Sequence, residues 1–93
     1  MADVSTRTDA VVRQRLTVHG RVQGVGFRPF VYRLATQMRL AGLVGNDSHG
    51  AFIEIQGPAD TVAEFKRRLV AELPPLARIA ELDSESVPSR SDS

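Results

Sequence analysis

Hydrophobic and polar residues alternate over positions 13–20. Leu16 and Val18 fall on one side and Arg15, Thr17 and His19 on the other, the pattern of a half-buried strand. Phe27, Phe30, Val31, Leu34, Ala35 and Met38 then recur at three- and four-residue steps. This predicts an amphipathic helix, with Pro29 tolerated in its first turn and Gly42 ending it. A short strand is expected over 43–47, then a turn at Asp47-Ser48-His49-Gly50. A further strand follows over 51–56, with Ala51, Ile53 and Ile55 facing one way and Phe52, Glu54 and Gln56 the other. Gly57-Pro58 should break it. Val62, Phe65, Leu69 and Leu73 mark a second helix over 60–73, stopped by Pro74-Pro75. Thr61 and Glu64 have capping-box spacing, and Asp60 is an alternative cap. The last strand should cover 77–85. Ile79 and Leu82 have opposite parity, so it needs a bulge or two covered faces.

The order β-α-β-β-α-β with one apolar stripe per helix predicts an α+β fold. It is the ferredoxin-like βαββαβ sandwich, a four-stranded antiparallel sheet with two helices on one face. The folded unit should span 13–85. Residues 1–12 read as a loose N-terminus, and the serine-rich residues 84–93 as a tail, with 86–93 a linker stub. The first two strands run the same way, so the loop after strand one and residues 45–47 should meet at one end of the sheet.

Twelve basic residues against eleven acidic ones leave a net charge of +1, too little for the many phosphate contacts of a nucleic-acid binder. The predicted open sheet face shows Phe52 but no paired aromatic platform, which weakens a nucleic-acid or protein interaction reading further. There is no cysteine, hence no disulfide, thiolate nucleophile or thiolate metal site. His19 and His49 are far apart in the chain, and no metal or cofactor is expected. Neither a membrane-span run nor a signal-peptide pattern is present, which makes a cytoplasmic location the expectation.

The chemistry concentrates in residues 20–28, GRVQGVGFR. Gly20, Gly24 and Gly26 are placed on a loop between strand and helix, where small residues let backbone N–H groups turn inward together. The helix start adds partial positive charge. Arg28 closes the run with a planar cationic fork matched to two phosphate oxygens. An arginine does not serve as a general base, and the Asn46 amide, which can donate and accept, can hold a water molecule. Asn46 also reads as a plain turn former before Asp47. A cradle, a cation and a water positioner, with no nucleophile, suit phosphoryl transfer to water when the leaving group needs no proton. Acyl phosphates meet that condition.

VHGRVQGVGFR resembles the acylphosphatase signature, and GLVGNDSHG (residues 42–50) resembles that family's second motif. The similarity covers residues 15–82. It implies a metal-independent acylphosphatase-type hydrolase, with Arg28 the phosphate-binding catalytic arginine and Asn46 the water-orienting asparagine. The backbone of Gln23, Gly24, Val25, Gly26, Phe27 and Arg28 would form the phosphate loop. Leu43 stands where stand-alone enzymes usually carry an aromatic residue, and Gly45 where a longer polar side chain is common. Residues 28–35 (RPFVYRLA) and 74–79 (PPLARI) are similar to the N-terminal acylphosphatase-like module of the HypF carbamoyltransferases. That family helps build the cyanide ligands of nickel–iron hydrogenase. The resemblance implies acyl or carbamoyl phosphate as substrate and further domains of a longer chain as partners. A stand-alone small acylphosphatase and a catalytically weak anion-binding module are the alternatives.

Overall fold

A computed structural model describes residues 10–47 and 50–90 of the chain. The elements run β1 (Val11–Arg21), α1 (Phe27–Gln37), β2 (Ala41–Asp47), β3 (Gly50–Pro58), α2 (Ala59–Ala71) and β4 (Arg78–Val87). The sheet order is β2-β3-β1-β4 with every neighbouring pair antiparallel. This is the expected ferredoxin-like arrangement. Strand pairing reaches Val11 and Val87, beyond the 13–85 unit read from the pattern.

The core follows from parity. Leu16 and Val18 on β1 and Ala51, Ile53 and Ile55 on β3 are buried on one face of the sheet. They form a single cluster with Phe27, Phe30, Val31 and Leu34 of α1 and Val62, Phe65 and Leu69 of α2. Each helix thus covers the same face with its apolar stripe.

Several local expectations are corrected. Gly42 does not end α1. The chain leaves the helix through a Schellman turn, in which Leu40 N–H donates to the Ala35 carbonyl and Arg39 N–H to that of Thr36. Arg39, not a glycine, takes the left-handed position at φ 60°. Gly42 instead lies in β2, where its backbone passes against the Glu54 carbonyl of β3.

Gly57-Pro58 pairs with β1 rather than breaking β3. Pro58 itself occupies the N-cap of α2, and no side chain caps that helix, so neither Asp60 nor the Thr61–Glu64 pair plays the capping role. The expected β4 bulge is present. His19 pairs with Glu81 and Gly20 with Ile79, which leaves Ala80 as the extra residue and lets Ile79 and Leu82 both pack on the core.

The serine-rich end is not loose throughout: residues 84–87 pair with β1. Beyond them the Arg90 backbone exchanges two hydrogen bonds of 2.7 Å with the Gln56 side chain. The turn residues Ser48 and His49 lie outside the described residues.

The face away from the helices is polar but not empty. Arg13 donates to Glu54 at 2.9 Å and to Gln56 at 3.2 Å, and Arg15 donates to Glu54 at 2.8 Å. The Arg15 guanidinium also lies 4.4 Å from the centre of the Phe52 ring. Arg13 is only 5% exposed, so its charge depends on these partners. Hydrogen bonding from Arg13, reinforced by Arg15, holds the Glu54 carboxyl below the usual carboxylate range, against an opposing effect of burial.

Candidate active site

The segment between β1 and α1 is pinned by its apolar residues. Val22 and Phe27 are buried and Val25 packs against the core, while Gln23, Gly24, Gly26 and Arg28 remain exposed. The spacing of three apolar anchors within six residues holds the loop rigidly and leaves its glycines at the surface. Gly24 and Gly26 adopt φ values of 69° and 83°, which L side chains rarely adopt, and no atom would crowd a Cβ at either. The loop therefore needs glycine for backbone conformation rather than for space. Gly20 does not belong to this loop. It is a strand residue at the β4 bulge, where a Cβ would sit 2.1 Å from the Arg78 carbonyl oxygen.

Gly26 is the N-cap of α1, no side chain caps the helix, and its first turn holds no acidic residue. The first N–H groups and the positive end of the helix dipole are thus left to a ligand or solvent. Arg28 sits in this first turn. Among the described residues no carboxylate pairs with it, as with several other arginines, so its guanidinium is not neutralised by a neighbour. A cation at a helix N-terminus opposes the dipole, so its placement there gains nothing for stability.

Asn46 reaches the same place from β2. It pairs with Ala51, a buried residue of the helix-covered face, and so extends toward α1 rather than toward the open face. A cleft of about 210 Å³ is lined by Val22, Gly24, Gly26, Phe27, Arg28, Pro29 and Asn46. The residues singled out from sequence are brought together here: the glycines, the guanidinium and the amide share one cavity. Gln23 and Val25 belong to the loop but do not line the cleft. The cleft offers anion-binding donors and one neutral amide, and among the described residues no carboxylate or imidazole lines it.

The departures Leu43 and Gly45 lie nearby on β2. Both are on the open side, opposite Glu54 and Phe52 respectively. The Phe52 ring lies across Gly45, with its tip 2.9 Å from where a Cβ would be. Sequence reasoning did not foresee one cluster, that of His19, Glu81 and Asp83, whose ligand atoms lie within 4.8 Å of one another. The β4 bulge sets Glu81 opposite His19 on the open face, away from the cleft, and that register was not readable from either strand alone. Among the described residues no helix is long and apolar enough to cross a membrane.

Comparison with known proteins places these observations in a family. A family model described as Acylphosphatase matches residues 14–93. Carbamoyltransferase HypF2 of Cupriavidus necator is 50% identical over 86 residues, covering 92% of this chain and 11% of that protein. A crystal structure of full-length HypF in the phosphate- and nucleotide-bound form superposes with a TM-score of 0.84 at 34% identity, over 87% of this chain and 11% of that one. The acylphosphatase from Bacillus subtilis superposes with a TM-score of 0.79 at 32% identity, over 89% of this chain and 91% of that one. The chain spans about a tenth of the length of the carbamoyltransferase relatives it matches.

Proposed function

Because the chain belongs to the acylphosphatase family, we propose that it hydrolyses the carboxyl–phosphate bond of acyl phosphates without a metal ion. We place that activity in the carbamoyl-phosphate-handling N-terminal module of a nickel–iron hydrogenase maturation carbamoyltransferase. The observation that carries the reaction is the shared cleft: Arg28 and Asn46 converge over a glycine loop at an uncapped helix start.

In this reading the loop N–H groups and the Arg28 fork bind the phosphoryl oxygens and neutralise the charge they carry in the transition state. The Asn46 amide orients a water molecule in line with the bond to the leaving group. The water oxygen bonds to phosphorus while the phosphorus–oxygen bond to the acyl group breaks. The electron pair of that bond leaves with the carboxylate, and a water proton passes to a phosphoryl oxygen. A carboxylate is a stable anion, so this substrate class needs no acid at the cleft to protonate the leaving group.

The identity of 50% across 11% of a carbamoyltransferase favours a module of a longer chain. Coverage of 91% of the Bacillus subtilis acylphosphatase favours the second reading, an independent small hydrolase. Both readings share the chemistry, and one assay addresses it. Benzoyl phosphate should be hydrolysed in the presence of a chelator, with inhibition by inorganic phosphate, and Arg28→Ala should lose about two to three orders of magnitude in turnover. Equal hydrolysis by parent and Arg28→Ala would remove the guanidinium from the mechanism.

A further inference from the structure

A second, apolar cleft lies further along the same two elements that carry Arg28 and Asn46. Arg28 and Tyr32 are four residues apart on α1, hence on one helix face and about 6 Å apart along its axis. Asn46 and Val44 are two residues apart on β2, hence on one face of the sheet and about 7 Å apart. β2 runs antiparallel to α1, because it runs parallel to β1. The step from Arg28 to Tyr32 and the step from Asn46 to Val44 therefore go the same way. They lead into a cavity of about 80 Å³ whose walls include Tyr32, Ala35, Thr36 and Val44, with Ile53 and Ile55 at its base.

Gly42, which pairs with the core residue Ile55, also lines the cavity and contributes only backbone to its wall. Tyr32, 70% exposed, forms its outer wall. Such a volume admits several water-sized groups. Among the described residues its lining offers one carboxylate, Glu54, and that group is already engaged by Arg13 and Arg15 on the other side of the sheet.

We propose that this α1–β2 groove is the acyl subsite of the enzyme, taking the apolar chain or ring of an acyl phosphate whose phosphoryl group sits in the glycine cradle. The inference rests on the acyl phosphate hydrolase reading given above and not on its carbamoyl-phosphate placement, since a carbamoyl group does not reach the groove. An acyl phosphate has its acyl carbon one oxygen away from phosphorus, so a chain of several carbons spans the roughly 6–7 Å to Tyr32 and Val44. Acetyl and carbamoyl groups end short of it. For those substrates recognition is confined to the cradle, and the groove acts as a grading device that favours longer, apolar acyl groups.

Acetyl phosphate and hexanoyl phosphate test this, since their leaving carboxylates have closely similar basicity and differ in reach. The parent protein should show kcat/KM at least about tenfold higher for hexanoyl phosphate, from partial burial of four extra carbons. Tyr32→Ala removes the wall and Thr36→Phe fills the groove from an exposed position, and each should bring the ratio toward one. Hexylphosphonate and methylphosphonate, titrated calorimetrically, should show the same grading in Kd. A ratio near one in the parent, or a ratio unmoved by both variants, overturns the subsite while leaving hydrolysis standing. Graded phosphonate binding without turnover of either substrate upholds the subsite and removes the hydrolase reading. If neither phosphonate binds and neither substrate is turned over, both fall.

Discussion

Glu54→Leu is the perturbation whose cost the structure defines most closely. The carboxylate accepts from Arg13 at 2.9 Å and from Arg15 at 2.8 Å, and its side chain is 15% exposed. Among the described residues, its removal leaves Arg13, at 5% exposure, with only the Gln56 amide oxygen at 3.2 Å. Breaking a buried pair by removing one partner costs about 3–5 kcal/mol. The Arg15 half contributes less than about 1 kcal/mol, because that side chain is 35% exposed and readily rehydrated. The retained Gln56 contact and the new leucine packing offset part of the loss, which leaves a net destabilisation of about 2–4 kcal/mol.

Urea unfolding followed by far-UV circular dichroism reads this directly. Thermal unfolding should show a drop of roughly 8–32 °C, at about 4–8 °C per kcal/mol for a domain of this size. The double variant Arg13→Met with Glu54→Leu should recover most of the loss, because no charge is then buried unpaired. The pH dependence has a definite sign. The folded-state value of Glu54 is lowered by Arg13 first and Arg15 next, so its contribution is fully present above the ordinary carboxylate range. That contribution is lost as pH falls through the depressed folded-state value, and the parent should lose this part of its stability in acid while Glu54→Leu does not. A loss under about 1 kcal/mol at neutral pH would show that the network behaves as a solvated surface pair and that Arg13 needs no counter-charge.

Three further outcomes follow from individual contacts. Asn46→Ala should lower kcat for acyl phosphate by about two orders of magnitude with Ki for inorganic phosphate nearly unchanged; a weakened Ki would make Asn46 a phosphate ligand instead. Arg39→Gly should stabilise the fold by about 0.5–1 kcal/mol in urea, since the Schellman position at φ 60° strains a Cβ more than glycine costs in chain entropy, and no gain would mean the arginine makes up that strain elsewhere. Gly20→Ala should destabilise by at least about 2 kcal/mol, because its Cβ would meet the Arg78 carbonyl oxygen at 2.1 Å; hydrogen exchange should show the loss first at the β1–β4 pairs around the bulge, and uniform protection would contradict it.

What the chain determined by itself is local. Parity along 13–20 and 51–56 assigns Leu16, Val18, Ile53 and Ile55 to the core because strand side chains alternate whatever the partner. The helical steps from Phe27 to Leu34 do the same for α1, and the opposite parity of Ile79 and Leu82 calls for a bulge or two covered faces, a choice that pairing with β1 settles as a bulge. The cradle was legible for the same reason: Val22, Val25 and Phe27 anchor the loop within a few residues of the glycines they expose.

Other features exist only across distance in the chain. The left-handed turn falls at Arg39, with Leu40 buried beyond it, a placement set by packing and marked by no glycine in the sequence. Arg13 is hidden because Glu54 and Gln56 surround it from β3, with Arg90 joined to Gln56, and no periodicity within 13–20 marks it as buried. The meeting of Asn46 with Arg28 and the groove beside Tyr32 and Val44 likewise arise where β2 lies along α1. Alternation and helical spacing act through bonds, so one strand carries them; a cleft is a relation between elements, and only their packing creates it.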